Sequence, residues 1–222
     1  MSEKIRFTID GQEVFGLPGE SILKVTQRLG MEIPHLCFSP ASGYRADGNC
    51  RVCMVEIEGE RVLASSCNRT PKTGMVVGVE SPRARSARSI VMELLLSDQP
   101  ARAQAQDPDS ELWQWAERTG PSESRFPKRR GPPTDSSHPA MSVNLDACIH
   151  CTRCVRFGAE VAGIVEMGAT GRGEDLKIEP FLSEGIQSEL SGNMIDVCPV
   201  GALTSKPFRY EVRSWQMNSI QT

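Results

Sequence analysis

Eight cysteines, arranged as two sets of four, constrain this chain more than any other feature. In the later set, Cys148, Cys151 and Cys154 are spaced C-x2-C-x2-C, and Cys198 is followed at once by Pro199. Thiols at intervals of three share one tight turn and reach three corners of an iron–sulfur cubane. The fixed φ of Pro199 holds a fourth thiol in a turn of its own. In two-cluster ferredoxins the fourth cysteine of a short motif serves the other cluster. Only one triplet exists here, so Cys198 is expected to close the same [4Fe–4S] cluster.

The earlier set, Cys37, Cys50, Cys53 and Cys67, reads C-x12-C-x2-C-x13-C. Four thiolates from a long loop and a neighbouring turn suit a [2Fe–2S] cluster, in which each iron takes two protein sulfurs. Gly43, Gly48 and Asn49 lie in that loop. A backbone that wraps a cluster closely needs unusual φ values and can aim N–H groups at the negative sulfurs. Tetrahedral zinc also accepts four thiolates and is the competing reading, although zinc ribbons usually carry two C-x2-C pairs. A disulfide framework is the third. Two iron clusters would consume every cysteine, leaving no catalytic thiol and no open iron for a substrate.

Composition narrows the rest. A formal net charge of -3 argues against general nucleic-acid binding. No apolar run is long enough to span a membrane. The start, MSEKIRFTIDGQEV, lacks the apolar stretch of a secretory leader. A reducing, cytoplasmic setting is therefore expected, where grouped cysteines hold metal rather than pair.

An α+β fold is expected in three stretches. Over residues 1–80, Ile5, Phe7 and Ile9 alternate with polar neighbours, and Asp10-Gly11 signals a hairpin turn. Ser21 caps a short helix with Ile22, Leu23, Val25 and Leu29 on its apolar side, stopped at Gly30. Val55 to Ile57 and Val62 to Ala64 read as a second hairpin around Gly59, and Met75 to Val79 as a further strand. Over residues 81–140, Pro82 to Leu96 reads as a helix with Ile90, Val91, Leu94 and Leu95 on one face and Arg83, Arg85 and Arg88 solvated. A linker from Pro100 to His138 follows, with Leu112, Trp113 and Trp115 as one helical turn. Residues 141–222 form the second cluster domain. The run Gly168-Ala-Thr-Gly171-Arg-Gly173 reads as a turn between strands near Val165 and Ile178, not as a nucleotide loop. His35 and His150 sit beside cysteines, His138 reads as a loop residue, and Arg153 and Arg156 read as surface cations.

The segments HLCFSP, GNCRVCMVEIEG, CIHCTRCVRF, GATGRGED and SGNMIDVCPVGALTSKPFRYEVRSW resemble the N-terminal part of the large iron–sulfur subunit of respiratory complex I. The same module opens NAD-linked formate dehydrogenase large subunits and forms the small diaphorase subunit of NAD-reducing hydrogenases. The resemblance implies a β-grasp plant-type ferredoxin domain followed by a [4Fe–4S] domain. It also implies a flavin/NAD(H)-binding subunit as one partner and, as the other, a catalytic subunit holding molybdenum, tungsten or nickel–iron, or a quinone-directed module. Family members usually add H-x3-C-x2-C-x5-C after the long helix for another [4Fe–4S]. Here those positions are Gln99, Ala103, Gln106 and Leu112, so that cluster is expected to be absent. The chain stops at Thr222, where complex I relatives continue, which suggests the diaphorase-like arrangement. The expected role is an electron-transfer subunit. A free ferredoxin-like shuttle, a complex I-type NADH dehydrogenase subunit and a zinc-stabilised scaffold are the alternatives.

Overall fold

The computed structural model describes residues 4–128, 141–181, 186 and 188–206. The chain divides into two compact units, residues 1–129 and 130–222. His138 and the C-terminal stretch through Trp215 lie outside the described residues.

In the first unit, β1 (Ile5–Ile9) turns through Asp10 and Gly11, both at positive φ (46° and 81°), into β2 (Gln12–Gly16). Two successive left-handed residues match the right-handed strand twist, which is why Asp-Gly reads as a hairpin turn. Asp10 does more than turn: its Oδ1 accepts from the Val79 and Glu80 N–H groups at 2.8 and 3.2 Å, tying the hairpin to a distant strand exit. Helix α1 (Ile22–Arg28) starts where Ser21 Oγ accepts from Lys24 N–H and ends before Gly30 at φ 73°. Strands β3 (Met54–Ile57), β4 (Ala64–Ser65) and β5 (Val76–Gly78) complete a five-stranded sheet in the order β2-β1-β5-β3-β4. β5 lies parallel to β1 and antiparallel to β3. Phe7, Ile9, Ile22, Leu23, Val25, Val55 and Val77 form its core, and Cys53 and Cys67 belong to the same cluster of buried residues.

Some expected apolar positions face water. Leu29 and Val62 are exposed, and β4 starts at Ala64 because the Met54–Ser65 and Val55–Ala64 pairs set its register. Helix α2 (Pro82–Ser97), capped by Ser81, buries Ala84, Arg88, Met92 and Leu96 rather than Ile90 and Leu94, which are exposed. Arg88 is thus interior: its Nη2 donates to the Val79 carbonyl at 2.7 Å and to Glu80 at 3.0 Å. Those bonds let a guanidinium take a place that hydropathy reserves for an apolar residue. The Trp-containing segment is a longer helix than one turn, α3 (Glu111–Thr119), with Leu112, Trp113 and Ala116 buried.

The second unit is built from smaller pieces. β6 (Met141–Val143) pairs antiparallel with β9 (Leu203–Ser205). β7 (Met167–Thr170) pairs antiparallel with β8 (Lys177–Pro180), so the Gly-rich run supplies a strand as well as the turn, and Val165 is exposed. Helices α4 (Arg153–Arg156) and α5 (Asn193–Asp196) are single turns, the former running into a wider turn at Phe157–Val161.

Candidate metal centres

The first site sits where the sheet's core opens into the long loop. Cys37, Cys50, Cys53 and Cys67 are all buried. The turn bearing Cys67 is pinned from two sides. Ser66 donates from its N–H and its hydroxyl to the Cys53 carbonyl, at 3.0 and 2.9 Å, while Leu23 N–H of α1 donates to the Ser66 carbonyl at 3.0 Å. Gly48 (φ 69°) brings the loop against this turn. A Cβ there would meet Asn68 Nδ2 at 2.9 Å and Ser65 Oγ at 3.0 Å, so the residue has neither the space nor the backbone conformation for a side chain. Arg51, between two of the cysteines, is left-handed without being glycine (φ 57°).

The thiols hydrogen-bond one another: Cys37 with Cys50 and Cys67, and Cys53 with Cys67. Sharing protons splits their acidities. Cys37 is lowered to about 2, first by its bond with Cys50 and then by that with Cys67. Cys53 is lowered to about 7, chiefly by Cys67. Cys50 is pushed up by its bond with Cys37 and by burial, and Cys67 by its bonds with Cys37 and Cys53. Four adjacent thiolates repel one another unless cations lie between them. Donors already face the sulfurs. Cys37 N–H donates to Cys50 Sγ at 3.4 Å, the Cys50 and Asn49 amides face Cys37, and Ser66 and the Cys67 amide face Cys53. This is the environment a negative iron–sulfur cluster needs when buried.

The second site occupies one cavity of the second unit. Cys148, Cys151, Cys154 and Cys198 all line it, with Val143, Ile178, Val200, Ala202 and Leu203 among its apolar walls. Within the triplet loop, His150 and Thr152 adopt left-handed φ values of 52° and 60°. Such alternation turns successive amides to one side, forming a concavity suited to an anionic group. Ala202 N–H donates to Cys198 Sγ at 3.2 Å. Burial pushes the Cys151 thiol up to about 12, and burial raises Cys154 as well, with the neighbouring cysteines adding repulsion. Thiols raised by desolvation give up their protons when a metal takes their place.

Arg153 and Arg156 are interior, not surface, cations (4% and 2% exposed). Arg156 Nη2 donates to the Cys151 carbonyl at 3.3 Å, and its Nε to Thr152 Oγ1 at 3.4 Å, so it braces the ligand loop while adding positive charge beside it. The C-x-R-C-x-R spacing was the available signal, since residues flanking a charged cofactor can be buried with it. His35 is placed by aromatic contacts, 5.5 Å from the Phe38 ring and 5.6 Å from Trp115.

Among the described residues, no group of three or more His, Cys, Asp or Glu side chains is arranged to hold a metal ion, so fit rests on donor chemistry. Both sets are all-thiol, mutually close or sharing a cavity, and supplied with amide donors, as iron–sulfur clusters require. Of the further positions, Leu112 is packed inside, Gln99 is buried, and Ala103 and Gln106 are on the surface.

Residues 2–82 match the family model for a 2Fe-2S iron-sulfur cluster binding domain, and residues 138–204 match the ferredoxin-like domain of NADH-quinone oxidoreductase subunit 3. The chain is 38% identical, over 99% of its length, to the NADH-ubiquinone oxidoreductase 78 kDa subunit, mitochondrial, of Candida albicans (strain SC5314 / ATCC MYA-2876). It is 39% identical, over 96% of its length, to a subunit of the NADH-quinone oxidoreductase of Rickettsia bellii (strain RML369-C). It spans 31% of the length of each of these two relatives. Its structure resembles a chain of an NAD+-reducing [NiFe]-hydrogenase crystallised in the H2-reduced state, with a TM-score of 0.80 and 26% identity over 96% of this chain and 92% of that one.

Proposed function

Because this chain is an N-terminal iron–sulfur module of the complex I large-subunit type, allied in structure to a subunit of NAD-reducing hydrogenase, we propose that it relays single electrons between a flavin/NAD(H)-binding subunit and a separate catalytic subunit. Cys37, Cys50, Cys53 and Cys67 would hold a [2Fe–2S] cluster, and Cys148, Cys151, Cys154 and Cys198 a [4Fe–4S] cluster. The observation that carries this reading is the gathering of eight cysteine side chains, four in each unit, with amide donors at the sulfurs. When bound, such clusters accept and pass one electron at a time. The protein's own contribution is placement and tuning: amides toward sulfur, Arg156 beside the triplet, and apolar walls that keep water away.

The catalytic partner in this proposal is of the molybdenum- or tungsten-dependent formate dehydrogenase type or the nickel–iron hydrogenase type. A complex I-type assembly is the second reading, favoured by 38–39% identity to complex I subunits against 26% to the hydrogenase chain. A cytoplasmic location goes with this reading, because in a reducing compartment grouped thiols hold metal.

The test is purification of the native assembly under anaerobic conditions, followed by reduction with NADH and electron paramagnetic resonance. One binuclear and one cubane signal from this chain, with a flavin subunit copurifying, is the expected result, and the remaining subunit identifies the electron acceptor or donor. Zinc without acid-labile sulfide overturns the relay. A third centre within this chain contradicts the ligand count, and a stable monomer with both clusters favours a free shuttle.

A further inference from the structure

Away from the thiols, the first unit has a cavity bounded by Glu32, Glu80, Arg85, Arg88, Trp115 and Arg118. Its charges do not balance. Arg88 pairs with Glu80 at 3.0 Å and Arg118 with Glu32 at 2.8 Å, whereas Arg85 is exposed and enters no ion pair among the described residues. Three guanidiniums against two carboxylates leave one positive charge in excess.

Two further observations point the same way. Arg88 is 4% exposed, and its Nη1, also buried, has no hydrogen-bond partner among the described residues. A buried guanidinium N–H without an acceptor is unfavourable, and Arg88 is one of the residues that bound the cavity. Arg85 is also the fourth residue of α2, close to the positive end of the helix dipole. Arg83, nearby, is offset by Glu56 at 3.3 Å, which leaves Arg85 as the unneutralised member.

We infer that this cavity binds a carboxylate group, held by Arg85 and Arg88 with its carbon skeleton against Trp115. A single carboxylate balances the excess charge, whereas a phosphate dianion would overshoot it. Planar carboxylate also suits paired guanidinium N–H groups. The Arg118 guanidinium already lies over the Trp115 ring, 5.0 Å from its centroid, so the aromatic wall of the cavity carries positive charge on its rim. The carboxylate comes either from a small free acid or from an acidic side chain of another polypeptide, and the experiment separates the two.

The anaerobically purified full chain, with clusters loaded, is titrated calorimetrically with sodium acetate, with the blocked tripeptide acetyl-Gly-Glu-Gly-amide, and with inorganic phosphate, each against sodium chloride at equal ionic strength. Saturable one-site binding of acetate identifies a small acid. Saturation by the tripeptide alone identifies a carboxylate presented by a polypeptide. In either case Arg85→Gln, an exposed change, weakens binding at least fivefold, and Arg88→Met weakens it further if the variant folds. Phosphate binding more tightly than both carboxylates overturns the assignment of ligand. No saturation above the chloride control, or unchanged binding in Arg85→Gln, overturns the site.

Discussion

The two thiol sites differ in what surrounds them. The first is an extension of an existing hydrophobic core: Cys53 and Cys67 are packed with Phe7, Leu23 and Val55 behind a five-stranded sheet. The second is surrounded by two-stranded pairings and four-residue helices, with its cysteines lining the cavity between them. A sheet of that first kind supplies its own cooperative burial, whereas two-stranded ribbons seldom stand alone. The difference teaches that a cluster at the first site would decorate a fold, whereas one at the second would substitute for a core, as metals do in small domains.

The largest effect should follow iron removal. Chelation under reducing conditions is expected to lower amide protection over residues 141–206 by roughly 100-fold or more, while β1, β3 and β5 stay protected. Hydrogen exchange with mass spectrometry measures both at once. Equal loss in the two units would break the contrast. Next, Cys198→Ala is expected to abolish the cubane signal and leave the binuclear one, read by electron paramagnetic resonance of the reduced protein. Loss of both signals would mean that the units fold as one.

Smaller changes sharpen the picture of the first unit. Gly48→Ala forces a Cβ against Asn68 and a left-handed backbone, and is expected to cost about 1–2 kcal/mol. Chemical denaturation measures that cost, and the g-values of the binuclear cluster should shift because the loop moves while the sheet does not. The least effect is expected at Glu20, whose carboxyl lies below the usual range, first because of its hydrogen bond with Arg28 and against a smaller upward push from burial. A lowered folded-state value means that its contribution is present above the usual carboxylate range and lost as pH falls through the folded value. Glu20→Gln should therefore cost no more than about 1 kcal/mol at pH 7, and the difference should vanish in acid. Denaturation midpoints at the two pH values check it.

Much of the scaffold was readable along the chain. Asp10-Gly11 turns the hairpin, Ser21 caps α1, and the cysteine spacings mark both sites, because each depends on neighbours in sequence. What was not readable involves partners far apart. The face of α2 that is buried carries Arg88, since the Val79 carbonyl and Glu80 receive it, and no hydropathy pattern predicts that. Arg156 is buried for a related reason: it binds the backbone of the cysteine-triplet loop, which turns through left-handed His150 and Thr152. Neither His150 nor Thr152 is glycine, so the cysteine spacing alone, and no turn-forming residue, hinted at that turn.

Cysteine identity and spacing determined that each candidate site offers only thiol donors, because a thiol's softness belongs to the side chain itself. Which thiols hydrogen-bond one another, which cations lie beside them, and how deeply each is buried followed from packing alone. Those properties depend on distance and dielectric surroundings, and elements remote along the chain create both.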